Sequence, residues 1–447
     1  MPRTQAGVWA ADSHAEQPYP IAPSLPANIR DFLSTEVSGP VFNVEHHYGR
    51  IAPASNGAYL DNVKASRHRW FIEDQRYGGV DLIGGILHRD RSLLNTGIRM
   101  FDFGLDREAR DGSFPGSLGL FHGPAMFLAD AGPAFILLKN WRAAKSFLGP
   151  RGLRHLNWEI GRLHDASRHL VHAWYHRSGH IDDGSKEDRF FEAAIALGSV
   201  GYLVGDHSLV QKSEVYAREG MRMTRSNGVM PENHGHDSSY QALGLVYATR
   251  YLQLMTGQKL FAPLRRDVAL GERWLLSRVR RDGSVDRAGD DRTGPGCPEH
   301  TNAGACKSVN YQAVASALVR WGVIDKSRTY ERRAYLVWLQ NWRRQPGDAL
   351  PKPSLVINPT HRTSKQVGYG WPVWVSGTRY LPLEPIRVYF NHRLVGKTVT
   401  DQIGSFGGHS PVSPVSFTPP TQRPGVYTIT AKGTYGVVRR TKFTITS

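Results

Sequence analysis

The chain has 447 residues, more than one hydrophobic core usually organises, so a large domain joined to a smaller one is expected. Its 40% hydrophobic and 10% aromatic content excludes a disordered polymer, and its longest apolar runs, such as Pro133–Leu138, fall far short of the ~20 residues that cross a bilayer. The formal net charge of +17 points to an acidic partner, whether a uronate polysaccharide, a nucleic acid or an anionic lipid surface; a plain solvated basic surface is the alternative.

Prolines at 2, 18, 20, 23, 26 and 40 make residues 1–45 read as an extended leader lying over another surface. The first residues contain no apolar signal-peptide core, which leaves a cytosolic protein or a mature, secreted form. From about 55 to 345 the hydrophobic period is helical, as in Phe190–Val204, and strand-like alternation is scarce.

Within that region a turn recurs after apolar, aromatic-rich helices: Arg110-Asp111-Gly112-Ser113, Arg177-Ser178-Gly179-His180, Ser226-Asn227-Gly228-Val229 and Arg281-Asp282-Gly283-Ser284. The glycines lie 67, 49 and 55 residues apart, and each suits a left-handed stop. One helical hairpin plus loops fills such a spacing. The sequence therefore predicts a mainly α domain over 46–350, an (α/α) toroid of five to six hairpins whose inner helices ring a cleft. A linear helical solenoid is the alternative.

The stretch Pro231-Glu232-Asn233-His234-Gly235-His236-Asp237-Ser238-Ser239-Tyr240 follows the third turn and precedes a helical run. Two carboxylates, two imidazoles, an amide and a phenol are costly to bury together, so a loop lining a cleft is expected. Asp237 or Ser238 would cap the helix, and Asp237 is also a candidate for substrate contact. Asn233, His234, His236 and Tyr240, with Glu232, form the candidate catalytic set.

That set suits β-elimination from a uronate polymer. An amide or an arginine neutralises the carboxylate beside the acidic carbon, a His or ionised Tyr removes the proton, and a phenol or water protonates the leaving oxygen. Paired carboxylates offer a glycoside hydrolase instead, with Glu232 and Asp237, or Asp182 and Asp183, as the acids. A non-catalytic, secreted glycan-binding or adhesion protein is the third reading.

The segment 286–294 carries three acids and two arginines, and Arg292 either binds a sugar acid or pairs locally. Cys297 and Cys306 bracket a short Pro/Gly-bearing loop, read as disulfide-clipped in an oxidising compartment, with two free thiols as the alternative; a zinc site would need further ligands. Lys307-Ser308-Val309-Asn310-Tyr311-Gln312 echoes Ser238–Gln241 and opens another helix, which adds Asn310 and Tyr311 as candidate binding residues. His122 and His46 complete that group, a structural hydrogen-bonding role being the alternative for His122. Phosphate-binding glycine loops, a Gly-x-Ser-x-Gly elbow and nucleic-acid modules are not recognised in the sequence.

These residues and the helical repeat resemble the α/α-toroid polysaccharide lyases, a class that includes alginate lyases and the helical domains of hyaluronate and heparin-degrading lyases. The likeness spans roughly residues 55–345. It implies Asn233 as carboxylate neutraliser, His234 or His236 as base and Tyr240 as acid or base, with an anionic polysaccharide as partner. It implies no obligatory cofactor; assistance of the uronate carboxylate by a divalent cation stays open. The large β-sandwich of several lyase families does not fit in the ~95 residues that remain, so the alginate-lyase-like arrangement is the nearer comparison.

Residues 351–447 switch to short alternating runs, including Ile386–Phe390, Val426–Ala431 and Thr441–Thr446, and predict a small β-sandwich. Thr400–Phe406 followed by Arg423–Ala431 resembles the Ig-like modules of secreted bacterial proteins, which implies a secreted or cell-surface location.

Overall fold

The structure is a computed structural model that describes residues 21–45, 53–64, 69–88, 90–175, 184–232, 235–300, 305–344, 353–357, 366–367, 372–380, 384–400, 405–407, 410, 412–420, 423–434 and 438–446. Two compact units divide the chain, Met1–Trp338 and Leu339–Ser447, so the boundary falls inside the last helix rather than at 350.

Twelve α-helices lie among the described residues of the first unit and its boundary. The expected extended leader gives way over 27–45 to α1 (Ala27–Glu36) and α2 (Gly39–Glu45). Two of its prolines sit where helices tolerate them: Pro26 is the N-cap residue of α1 and Pro40 lies in the first turn of α2, so these two mark helix starts.

The remaining helices run as hairpins: α3 (Gly78–His88) with α4 (Arg91–Leu105), α5 (His122–Asn140) with α6 (Ala144–Tyr175), α7 (Glu187–Val204) with α8 (His207–Met223), α9 (Ser238–Leu254) with α10 (Phe261–Arg278), and α11 (Tyr311–Ile324) followed by α12 (Arg328–Arg344). Packing follows alternate helices: α3 on α5, α5 on α7, α7 on α9, α9 on α11 and α11 on α2. The first members are inner helices, and α5, α7, α9 and α11 are buried on nearly every face. The second members are amphipathic; α8 buries only Leu209, Ser213, Tyr216, Ala217 and Gly220. This alternation of inner and outer helices is the α/α toroid, with five hairpins plus the α1–α2 pair.

The recurrent turn is a single device used four times among the described residues. Ala109 N–H donates to Ser113 O and Gly112 N–H to Ala109 O; Arg225 with Val229 and Gly228, and Arg280 with Ser284 and Gly283, repeat the pattern. Ala54, Ala58 and Gly57 form a fourth copy that the sequence comparison did not single out. The four glycines have φ between +82° and +88°. A Cβ on any of them would overlap the backbone of an outer helix, at Arg99 of α4, Asp165 of α6, Leu270 of α10 or Leu336 of α12. Gly179 lies outside the described residues.

A buried charge network ties the N-terminal helices to the inner layer. Arg320 of α11 donates to Glu36 at 2.5 Å and Glu45 at 2.6 Å, while Arg250 of α9 donates to Asp130 of α5 at 2.6 Å. Arg320 and Glu36 are wholly buried, so their charges are neutralised within the protein rather than by solvent.

In the second unit, β1 (Ser354–Ile357), β3 (Val373–Thr378) and β6 (Val415–Phe417) form one antiparallel sheet in the order β1-β3-β6. The other runs β2-β8-β7-β4-β5, from β2 (Gln366–Val367), β4 (Pro385–Phe390), β5 (Arg393–Val399), β7 (Gly425–Gly433) and β8 (Val438–Ile445), with β2 parallel to β8. Val373 and Val375 of the first sheet share a core with Ile386, Val388, Phe390, Ile429 and Phe443 of the second, so the expected small sandwich is present.

Candidate active site

The inner helices begin at one set of loops, and these loops collect the titratable residues. Asp237 is the N-cap of α9: its Oδ1 accepts from Ser239 N at 2.9 Å and Tyr240 N at 3.3 Å. Its Oδ2 accepts from Arg292 N at 3.0 Å and Thr293 N at 2.7 Å. Fully buried, with both oxygens engaged, Asp237 acts as the anchor that ties segment 290–293 to the start of α9. Neither substrate contact nor a hydrolytic acid role is what its surroundings provide.

The anchor carries Arg292 onto Tyr240. The guanidinium lies 3.9 Å from the centre of the phenol ring, and the same side chain donates to Glu232 Oε1 at 2.6 Å and to Glu299 Oε1 at 2.9 Å. Lys307 bridges Glu299 Oε1 at 2.5 Å and the Tyr240 hydroxyl at 3.2 Å. Glu232, Tyr240, Arg292, Glu299 and Lys307 thus form one cluster from two segments, the start of α9 and the connection from α10 to α11. Arg292 belongs to it through the local pairs that the sequence offered as its alternative role.

Burial pushes the Tyr240 hydroxyl well above the usual phenol range, against the opposing pull of Arg292, so it is protonated at neutral pH. Burial likewise raises Glu232, countered by Arg292, and its Oε2 is a buried oxygen without a hydrogen-bond partner among the described residues. Glu299 is held down at about 2 by hydrogen bonds from Arg292 and Lys307, and is ionised.

A second cluster stands at the starts of α5 and α7. His122 Nε2 lies 3.4 Å from Glu73 and Nδ1 3.3 Å from Glu192; Arg189 contacts both the His122 ring and Glu192, the latter at 3.1 Å. Asp188 and Arg189 also act electrostatically on Tyr240, which joins the clusters along the inner-helix mouths. His122 therefore sits in a charged constellation whose other members come from two segments, Glu73 and the start of α7.

Other expected residues stand apart. His236 packs its ring against Trp274 of the outer helix α10 at 5.3 Å and approaches Asp290 at 3.7 Å. Asn310 caps α11 through Ala313 N at 3.0 Å, and its own N–H donates to Ser239 Oγ at 2.8 Å, which sets the α11 start beside that of α9. Tyr311 is buried. Asn233, His234, His46, Asp182 and Asp183 lie outside the described residues. Cys297 and Cys306 are joined in a disulfide that closes the loop bearing Glu299.

Glu73, Asp188, Arg189, Glu192, Glu299 and Lys307 were not singled out as site residues. Asp188 and Arg189 open α7 as Ser239 and Tyr240 open α9, so position within the repeat was the signal that could have found them. No described helix is long and apolar enough to cross a membrane.

No protein-family model and no curated protein sequence matches the chain. Solved structures similar to it include the unsaturated glucuronyl hydrolase of Bacillus sp. GL1, at 15% identity and a TM-score of 0.41 over 69% of this chain and 84% of that one. The chondroitin AC lyase of Streptomyces coelicolor A3 gives 11% identity and 0.41 over 80% and 51%, and a D-mannose isomerase 11% and 0.37 over 72% and 88%. The fold stated above rests on the chain's own helix order and packing.

Proposed function

We propose that this chain is a carbohydrate-active enzyme that cleaves an acidic, uronate-containing polysaccharide by β-elimination. The observation that carries the reading is a protonated, half-buried phenol, Tyr240, held between Arg292 over its ring and Lys307 at its hydroxyl. In this reading the substrate carboxylate is drawn to the guanidinium groups of Arg189 and Arg292 and its developing enediolate is neutralised there. The proton on the adjacent carbon passes to a base, assigned to His234 from sequence position alone. The carbon–oxygen bond to the leaving sugar breaks as the carbon–carbon double bond forms, and Tyr240 gives its proton to the departing oxygen.

The net charge of +17 suits an anionic polymer. The Cys297–Cys306 disulfide and the sandwich unit, read as an Ig-like accessory module, support a secreted or cell-surface enzyme. Hydrolysis is the second reading, because Glu232 combines a raised pKa with a buried oxygen that has no hydrogen-bond partner among the described residues, as a proton-donating carboxyl requires.

The test is incubation of the full chain with a panel of uronate polymers, following both ultraviolet absorbance of unsaturated uronide and new reducing ends. Elimination raises both signals and hydrolysis raises reducing ends alone. Binding with neither signal sinks both readings and leaves an adhesion role.

A further inference from the structure

The outer layer holds a second constellation that takes no part in the chemistry above. Asp102 comes from α4, while His155 and Glu159 stand one turn apart on the same face of α6. One ligand-type atom from each lies within 4.8 Å of the other two. His155 Nε2 sits 2.8 Å from Asp102 Oδ1, and the imidazole is stacked on Trp158 at 5.1 Å, which fixes its plane.

Glu159 is the informative member. Only 1% of the residue is exposed, yet its Oε1 has no hydrogen-bond partner among the described residues. A buried carboxylate oxygen beside a second carboxylate is unfavourable unless a proton or a cation joins them. The obvious protein cation nearby is committed elsewhere: Arg162, the next residue but two on α6, pairs with Glu108 at 3.2 Å. His155 and Glu159 also line a cavity of about 920 Å³ whose wall includes Arg91, Arg151 and Arg154. A bound ion would therefore have open coordination positions facing room for water or a small anion.

We infer that Asp102, His155 and Glu159 form a divalent transition-metal site of the zinc class. One imidazole and two carboxylates are a donor set for Zn²⁺, and an i, i+4 pair on a helix with a third ligand from its neighbour is a workable tripod. Ligand atoms around such an ion stand roughly 3.4 Å apart, so the His155–Asp102 contact opens by a side-chain rotation while Glu159 closes in. The other grouping of ligand-type residues, Cys297, His300 and Cys306, has its sulfurs in the disulfide and so lacks thiolates.

The test uses the full chain, stripped of metal under non-reducing conditions and titrated with Zn²⁺, Mn²⁺ or Mg²⁺ by calorimetry. The expected result is one Zn²⁺ per chain with a micromolar or tighter Kd and Mg²⁺ at least about 100-fold weaker. His155→Gln and Asp102→Asn should each weaken Zn²⁺ at least about tenfold, with circular dichroism unchanged, while His300→Ala leaves it as in the wild type. Cobalt substitution of the wild type gives a reading independent of variant folding: visible d–d bands saturating at one equivalent are expected. Absence of stoichiometric Zn²⁺ binding, an unchanged Kd in His155→Gln, or no saturable cobalt bands overturns the assignment.

Discussion

Arg292 spreads its guanidinium 3.9 Å above the ring of Tyr240 while its backbone N–H is held by Asp237, the residue that caps the helix on which Tyr240 sits. One carboxylate thus fixes both partners. The relative placement of the cation and the phenol follows from the capping of α9 and depends little on the flexible reach of the arginine side chain.

Replacing Tyr240 with Phe removes the proposed proton donor and little else. Lys307 keeps its 2.5 Å contact with Glu299, and the ring stays under Arg292. Turnover on the responsive polymer should fall about 100-fold or more, with stability within about 1 kcal/mol of wild type by urea denaturation. Turnover within threefold of wild type would remove Tyr240 from the chemistry.

Glu299 supplies a pH test with a defined sign. Its folded pKa, about 2, lies below the ordinary glutamate value of 4.5, so its stabilisation is present above that value and is lost as pH falls toward 2. Because the side chain is about one-third exposed, solvent screening holds the contribution to roughly 1 kcal/mol. The difference in unfolding free energy between wild type and Glu299→Gln should shrink steadily between pH 5 and pH 2.5 in denaturant titrations. A difference that does not change over this range contradicts the pairing.

Arg320→Ala should destabilise the helical unit by about 3–5 kcal/mol, because it removes the closer of the two cations, Arg320 and Arg250, that pair with the buried Glu36 and Glu45. Adding Glu36→Gln and Glu45→Gln should restore part of the loss. Both are read from urea midpoints, and a triple variant no better than the single one would show that packing, not charge, dominates there.

Gly228→Ala meets two obstacles together, a left-handed backbone with φ of +86° and overlap with the Leu270 carbonyl. A loss of about 2–4 kcal/mol is expected in thermal or chemical unfolding. Gly257, with a similar φ of +82° but nothing near its Cβ, separates the two terms: Gly257→Ala should cost only about 1 kcal/mol.

The helical repeat and the sandwich were legible because both depend on local periodicity: glycine turns at regular intervals in one half, alternating apolar residues in the other. The cap at Asp237 was legible for the same reason, since an N-cap acts within three residues. The Glu73–His122–Arg189–Glu192 cluster was not, because Glu73 comes from the short 3-10 helix Ile72–Tyr77 and the others from the starts of α5 and α7, which packing brings together. Nor were Glu36 and Glu45 recognisable as buried partners of Arg320, more than 270 positions away; nothing in their neighbourhoods distinguishes them from solvated acids. The proline-rich start misled because proline is at home both in extended chain and in the first turn of a helix.

The four glycine turns each dock on the outer helix of the hairpin that follows them, about 40 to 55 residues along the chain. Every such unit is therefore closed by contacts within itself before it meets its neighbours. Within each unit the sequence separations stay short, whereas closing the ring waits for the two ends of the helical unit, because α11 must meet α2 and Arg320 its partners Glu36 and Glu45.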